Sequence, residues 1–176
     1  MYFASKLFGI KNIEKFNASD FNNHLCERFS GKGSRLFLIG GNFSESLIEE
    51  VQLKKKLNIC GYKNGYFNSD EIPELIKKIN NSGADIILIG MGVPKQELLA
   101  AELSEKVKVD IIICVGNFFE FYFGTKKRAP ALLRNSGFEW LFRLFTEPKR
   151  LWKRYLIGIT LFLYRILKMK TSLKDF

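Results

Sequence analysis

The segment Gly90–Glu97 reads GMGVPKQE and holds the densest set of residues suited to chemistry. Gly90 and Gly92 let a ligand approach the backbone. If a helix starts at Pro94, its first N–H groups can receive a diphosphate. Lys95 adds a positive charge beside them, and Gln96 can both donate to and accept from a sugar or a base edge. The same residues also suit a plain strand-to-helix turn with polar surface groups. Gly40–Gly41, followed by Asn42 and Ser44, forms a second turn open to the same two readings. In Gly65-Tyr66-Phe67 the rings are fitted either to stack on a uracil or sugar or to pack inside the protein.

Two further groups carry charge. Glu120 lies within the aromatic run Phe118–Gly124 (FFEFYFG). A carboxylate among apolar rings is expected to have a raised pKa and to serve as an acid or base, unless it is an exposed residue of an amphipathic turn. Arg128, Arg143, Arg150 and Arg154 have guanidinium forks that fit diphosphate oxygens, lipid headgroups or plain solvent. His24 is the only histidine, so it has no partner for a metal site or a triad and reads as structural. Cys26, Cys60 and Cys114 are widely spaced, which fits a reducing compartment rather than a disulfide or zinc framework. Neither Asp-x-Asp nor a P-loop, HExxH or GxSxG occurs, so no metal and no cofactor is implied.

These residues need a scaffold, and the pattern supplies one. Ser34–Gly41, Ala84–Gly92 and Val109–Gly116 are short apolar runs ending in glycine, as expected of strands buried on both faces. Asn58–Tyr62 reads as a fourth strand. Ser44–Leu57, Asn68–Ser82 and Pro94–Lys106 read as helices, with Asn68 or Ser69 as a cap and Gly83 as a stop. The alternation predicts an α/β fold, a Rossmann-like open parallel sheet flanked by helices, with its ligands at the strand C-termini.

Charge separates this body from the C-terminal tail. Residues 1–125 carry 15 Lys+Arg against 15 Asp+Glu, and residues 126–176 carry 13 against 3. The whole net charge of +10 therefore sits in the tail, which implies a dedicated anionic partner. The body is expected over 1–128 and a helical appendage over 129–176, with short helices in Ala129–Glu147 and a longer one in Pro148–Lys170. Basic residues bracket the uncharged Tyr155–Tyr164, half of the roughly 20 residues that span a bilayer. An interfacial helix on an anionic membrane fits better. Nucleic acid does not, since an apolar middle gains nothing along phosphates. No signal peptide is evident.

The chain resembles the WecG/TagA/CpsF glycosyltransferase family. The resemblance rests on EKFNASDF (Glu14–Phe21), FLIGG, GYF, INNSGADIILIGMGVPKQE (Ile79–Glu97), VGNFFEFYFGTKKRAP (Val115–Pro130) and FEWLFRLFTEPKRLWKRY (Phe138–Tyr155). It implies a metal-independent, inverting transfer of N-acetylmannosamine or its uronic acid from a UDP-sugar donor to a polyprenyl-diphosphate-linked amino sugar. It also implies a cytoplasmic enzyme, peripheral at the inner face of the cell membrane. By position, Gln96 matches a substrate-contacting glutamine, Lys15 stands where the family has arginine, and Arg143, Arg150 and Arg154 match arginines that would cover the diphosphate.

Three departures accompany the resemblance. The family's Asp-Gly motif, whose aspartate is the expected base, precedes the part that Met1 begins to match. Gly116-Asn117-Phe118-Phe119-Glu120 replaces the usual Gly-Gly-x-Phe-Asp, which leaves Glu120 as the substitute base. Lys15 lacks the planar guanidinium fork. The chain is accordingly expected to be N-terminally shortened, with an unpaired sheet edge that favours homo-oligomers. The alternative to an enzyme is an inactive, membrane-associated binding protein of the same family.

Overall fold

The computed structural model describes residues 8–10, 17–130, 132–133 and 139–172, without the side chains of 150, 154 and 172. The chain divides into two compact units, Phe16–Lys127 and Met1–Lys15 with Arg128–Phe176.

In the first unit, β1 (Arg35–Gly40), β2 (Asn58–Lys63), β3 (Ile86–Gly90) and β4 (Ile111–Cys114) form one parallel sheet in the order β2-β1-β3-β4. Helices α1 (Ala18–Lys32), α2 (Glu45–Lys55), α3 (Ile72–Ser82), α4 (Lys95–Ser104) and the one-turn α5 (Phe118–Tyr122) surround it. This is the predicted Rossmann-like α/β architecture. Helix starts follow local chemistry. Asn17 accepts from Ser19 N–H at 3.0 Å, and Ser44 accepts from Leu47 N–H at 3.3 Å. Glu71 reaches back to Asn68 N–H at 3.0 Å and pairs with Lys63 Nζ, so Ser69–Glu71 forms a 3₁₀ turn ahead of α3. Gly33 and Gly83 end α1 and α3 in left-handed geometry.

Alternate strand residues face opposite ways, and each face is sealed by different helices. Leu36, Leu38, Ile86 and Leu88 pack with Cys26 of α1, Ile48 and Val51 of α2, and Phe118 and Phe119 of α5. Phe37, Ile39, Ile87 and Ile89 pack with Leu75 and Ile79 of α3 and Leu99 and Leu103 of α4. The central strands, Leu36–Gly40 of β1 and Ile86–Gly90 of β3, are therefore apolar throughout, as burial on both faces requires. Arg35 and Asp85 bind the start of β1 to the entry of β3, with Arg35 N–H donating at 2.7 Å and Arg35 Nη2 at 2.9 Å.

The second unit contains α6 (Glu139–Thr146), α7 (Pro148–Trp152), a π-helical turn (Lys153–Ile157) and α8 (Gly158–Ser172). Trp140 meets Tyr155 edge-on, with ring centroids 6.0 Å apart. Within α8, Leu161, Phe162, Leu163, Tyr164, Leu167 and Met169 are all exposed. Among the described residues no helix is long and apolar enough to cross a membrane.

Candidate functional site

Chain direction creates a crevice at the C-terminal edge of the sheet. From β1 the chain leaves toward α2 on one face, and from β3 it leaves toward α4 on the other. Between them lies the topological switch point, where open parallel sheets take ligands.

The floor of this crevice is backbone. A Cβ on Gly65 would lie 3.1 Å from Gly40 Cα, one on Gly40 2.3 Å from Gly90 O, and one on Gly90 2.8 Å from Gly116 O. Gly65, Gly40, Gly90 and Gly116 thus touch in the order of the strands they follow or end, β2-β1-β3-β4. Gly65 N–H also donates to Gly41 O at 2.8 Å. Gly40 (φ 136°), Gly41 (φ 62°), Gly92 (φ 79°) and Gly116 (φ 59°) hold positive φ, which favours glycine. At Gly40, Gly41, Gly65 and Gly90 the space of a Cβ is taken by neighbouring backbone or rings, whereas Gly92 and Gly116 have nothing within 4 Å of theirs.

Aromatic rings support the floor from below. Phe43 lies 2.4 Å from where a Gly41 Cβ would be, and Phe119 lies 2.7 Å from that of Gly90. Phe43 stacks on Phe123 at 4.5 Å, and Phe119 meets Phe123 edge-on at 6.1 Å. Tyr62 Oη accepts from Phe43 N–H at 3.0 Å, and burial raises the Tyr62 pKa. The aromatic run around Glu120 is therefore a buttress made of core residues.

The wall next to Gly92 is the start of α4. The Val93–Pro94 peptide is cis, and Pro94 precedes the helix. Lys95 and Glu97 are exposed, whereas Gln96 is only 5% exposed. Gln96 Oε1 accepts from Gly116 N–H at 3.0 Å, and its Nε2 donates to Glu97 Oε1 at 2.7 Å. Tyr66 is 80% exposed, while Phe67 packs with the α3–α4 face and lies under Lys63 Nζ at 5.4 Å.

Glu120 sits on α5. Its carboxylate forms an ion pair with Lys126 Nζ, and its carbonyl accepts from Lys126 N–H at 2.9 Å and Thr125 Oγ1 at 3.0 Å. In the second unit, Arg143 Nη2 donates to Glu139 Oε1 at 2.6 Å, and Arg128 is half-buried. Lys15 and the side chains of Arg150 and Arg154 lie outside the described residues. His24 is on the exposed side of α1, 3.3 Å from Glu27. Among the described residues no His, Cys, Asp and Glu cluster could hold a metal ion. A separate cleft of about 300 Å³, lined by Asn23, Glu27, Ser30, Lys55 and Tyr122, shares no residue with the floor.

Sequence reasoning does not single out Gly65 and Gly116 as backbone members of the site. The available signal is a glycine after each strand. The bond from Gln96 to Gly116 joins positions 20 apart and has no local signature.

An all-parallel sheet with a glycine-built crevice at its switch point places the first unit among Rossmann-like α/β proteins. Over residues 1–175 the chain matches the glycosyl transferase WecG/TagA/CpsF family, and it belongs to that family. It is accordingly a glycosyltransferase of the group that serves cell-surface polysaccharide synthesis, acting between a sugar donor and an acceptor.

Proposed function

We propose that this protein transfers N-acetylmannosamine, or its uronic acid, from a UDP donor to a polyprenyl-diphosphate-linked amino sugar. The observation that carries the reading is the glycine floor at the switch point of a chain from this family. Backbone N–H groups around Gly40–Gly41 and Gly90–Gly92 receive the diphosphate, with Lys95 supplying charge and Gln96 and Glu97 forming the adjoining wall. The acceptor hydroxyl attacks the anomeric carbon in line with the leaving UDP. The new C–O bond forms as the bond to the β-phosphate oxygen breaks, which inverts the centre. A base takes the hydroxyl proton, and cationic groups stabilise the departing diphosphate. In this reading Glu120 is the base once Lys126 releases it. Lys15, Arg143, Arg150 and Arg154 are assigned to the diphosphate by the family resemblance alone, and Arg128 by its guanidinium fork.

The body over 1–128 holds the donor, and the appendage over 129–176 rests on an anionic membrane at the cytoplasmic side. The exposed apolar stretch Leu161–Tyr164 of α8, with Lys153 before it and Arg165, Lys168 and Lys170 after it, supports this. A second reading, a binding protein without turnover, is favoured by the Glu120–Lys126 ion pair, which occupies the carboxylate assigned as base. Incubation with labelled UDP-N-acetylmannosamine and a polyprenyl-diphosphate-linked N-acetylglucosamine acceptor separates the two. Labelled lipid product supports transfer. UDP binding without product supports the second reading, and neither binding nor product refutes both.

A further inference from the structure

Gln96 and Asn22 are the buried polar side chains among the described residues, and Gln96 has both ends of its carboxamide engaged. A buried carboxamide costs free energy unless it is hydrogen-bonded, so its partners identify its task. Oε1 faces an N–H group and Nε2 faces a carboxylate. The opposite orientation would set donor against donor and acceptor against acceptor, so the neighbours dictate a single one. The main chain of Gln96 makes further ties. Its N–H donates to Gly92 O at 3.1 Å, and its carbonyl lies 3.6 Å from Cys114 Sγ. One residue therefore connects the β3–α4 turn, the end of β4 and the β4–α5 turn.

The Gly116 peptide is the point where this matters. Gly116 has φ 59°, nothing lies within 4 Å of where its Cβ would be, and its carbonyl abuts Gly90. The preceding residue is anchored by Val115 N–H donating to Ile89 O at 2.8 Å, and the Gly116 peptide itself by the bond from its N–H to Gln96. We propose that Gln96 is a positioning residue: its carboxamide fastens the Gly116 peptide against Gly90 and so keeps the β4 end of the glycine floor in place for the donor diphosphate. Glu97 completes the device by fixing the Nε2 end. The consequence for donor binding rests on the function proposed above, but the fastening itself does not.

The test compares the full-length protein with Q96L, which keeps the bulk and removes both bonds, and with Q96E and Q96E/E97Q. Q96E places two carboxylates side by side. Q96E keeps an acceptor for Gly116, and the double exchange adds a donor at position 97 in place of the second carboxylate. Amide hydrogen exchange is followed by mass spectrometry over peptides covering 114–119 and, as a reference, 35–40. UDP affinity is measured by calorimetry on the same samples. In Q96L, exchange over 114–119 is expected to rise at least tenfold with 35–40 unchanged, and UDP affinity to fall about tenfold. Q96E/E97Q is expected to exchange more slowly over 114–119 than Q96E and to bind UDP more tightly.

Unchanged exchange over 114–119 in Q96L, with affinity lost, would make Gln96 a direct ligand contact and overturn the proposal. Equal exchange in Q96E and Q96E/E97Q would overturn the part assigned to Glu97. If Q96L fails to fold, the comparison of Q96E with Q96E/E97Q decides. If the parent protein itself binds no UDP, the function proposed above fails, while the exchange comparison still decides the fastening.

Discussion

Replacing Gly40 by alanine tests the glycine floor at its tightest point. The new methyl would lie 2.3 Å from Gly90 O and 2.6 Å from Gly90 C, both backbone atoms in a paired strand. Neither can rotate away, so β1 and β3 must separate at their C-terminal ends. The φ of 136° is also poorly tolerated by an L side chain. Such a backbone conformation costs about 1–3 kcal/mol. Forcing an extra carbon into a packed site costs about 1–3 kcal/mol more. The loss of about 2–6 kcal/mol is a large part of the roughly 5–15 kcal/mol that holds a domain together. With a urea dependence of about 1–3 kcal/mol/M, the unfolding midpoint should fall by at least about 0.7 M. Gly31→Ala is the control. Gly31 lies inside α1 with nothing within 4 Å of the added carbon, so alanine should stabilise the protein by about 0.5–1 kcal/mol. A Gly40→Ala midpoint equal to that of the parent would refute the close approach of the two backbones.

Three other outcomes come from single features. Burial raises the Cys26 pKa to about 11, with Tyr122 and Lys55 opposing the shift. In the folded protein at pH 8, Cys26 should therefore resist alkylation while the exposed Cys114 reacts, as intact-mass and peptide mapping would show. Arg35 holds the Asp85 carboxyl below its ordinary range, first through its side chain and then through its N–H. A lowered folded-state pKa gives stability that is present above the unfolded value and lost as pH falls through the folded one. Asp85→Asn should therefore flatten the fall in melting temperature below about pH 4. Finally, the paired change L161E/L163E puts charge on the exposed apolar part of α8, and sedimentation with anionic vesicles should drop at least tenfold with the melting temperature unchanged.

The fold is readable because the central strands β1 and β3 are buried on both faces. Leu36–Ile39 and Ile86–Ile89 show no polar alternation, and a glycine ends each run, so parallel strands are the economical reading. Helix ends are legible for the same local reason, at Asn68, which caps the 3₁₀ turn ahead of α3, and at Gly83. Strand order is not, because pairing β1 with β3 depends on contacts 50 residues apart. The site is only partly legible. Gly40, Gly41, Gly90 and Gly92 stand out as turn glycines, but Gly65 and Gly116 acquire their place through neighbours on other strands. In the sequence Phe119 and Phe123 read as surroundings for a carboxylate; in the structure they join Phe43 as the buttress under the glycines. The Glu120–Lys126 pair spans one short turn, and neither residue type predicts the other.

The central claim is that uridine diphosphate lies on the glycine floor between the ends of β1 and β3. Titration of the isotopically labelled full-length protein with UDP, read by amide chemical shifts, tests it most directly. The account predicts saturable shifts at Gly40, Gly41, Gly65, Gly90, Gly92 and Gly116, with the amides at the start of β1 and β3 unmoved. Saturable shifts confined to other segments, or none at millimolar UDP, would contradict it.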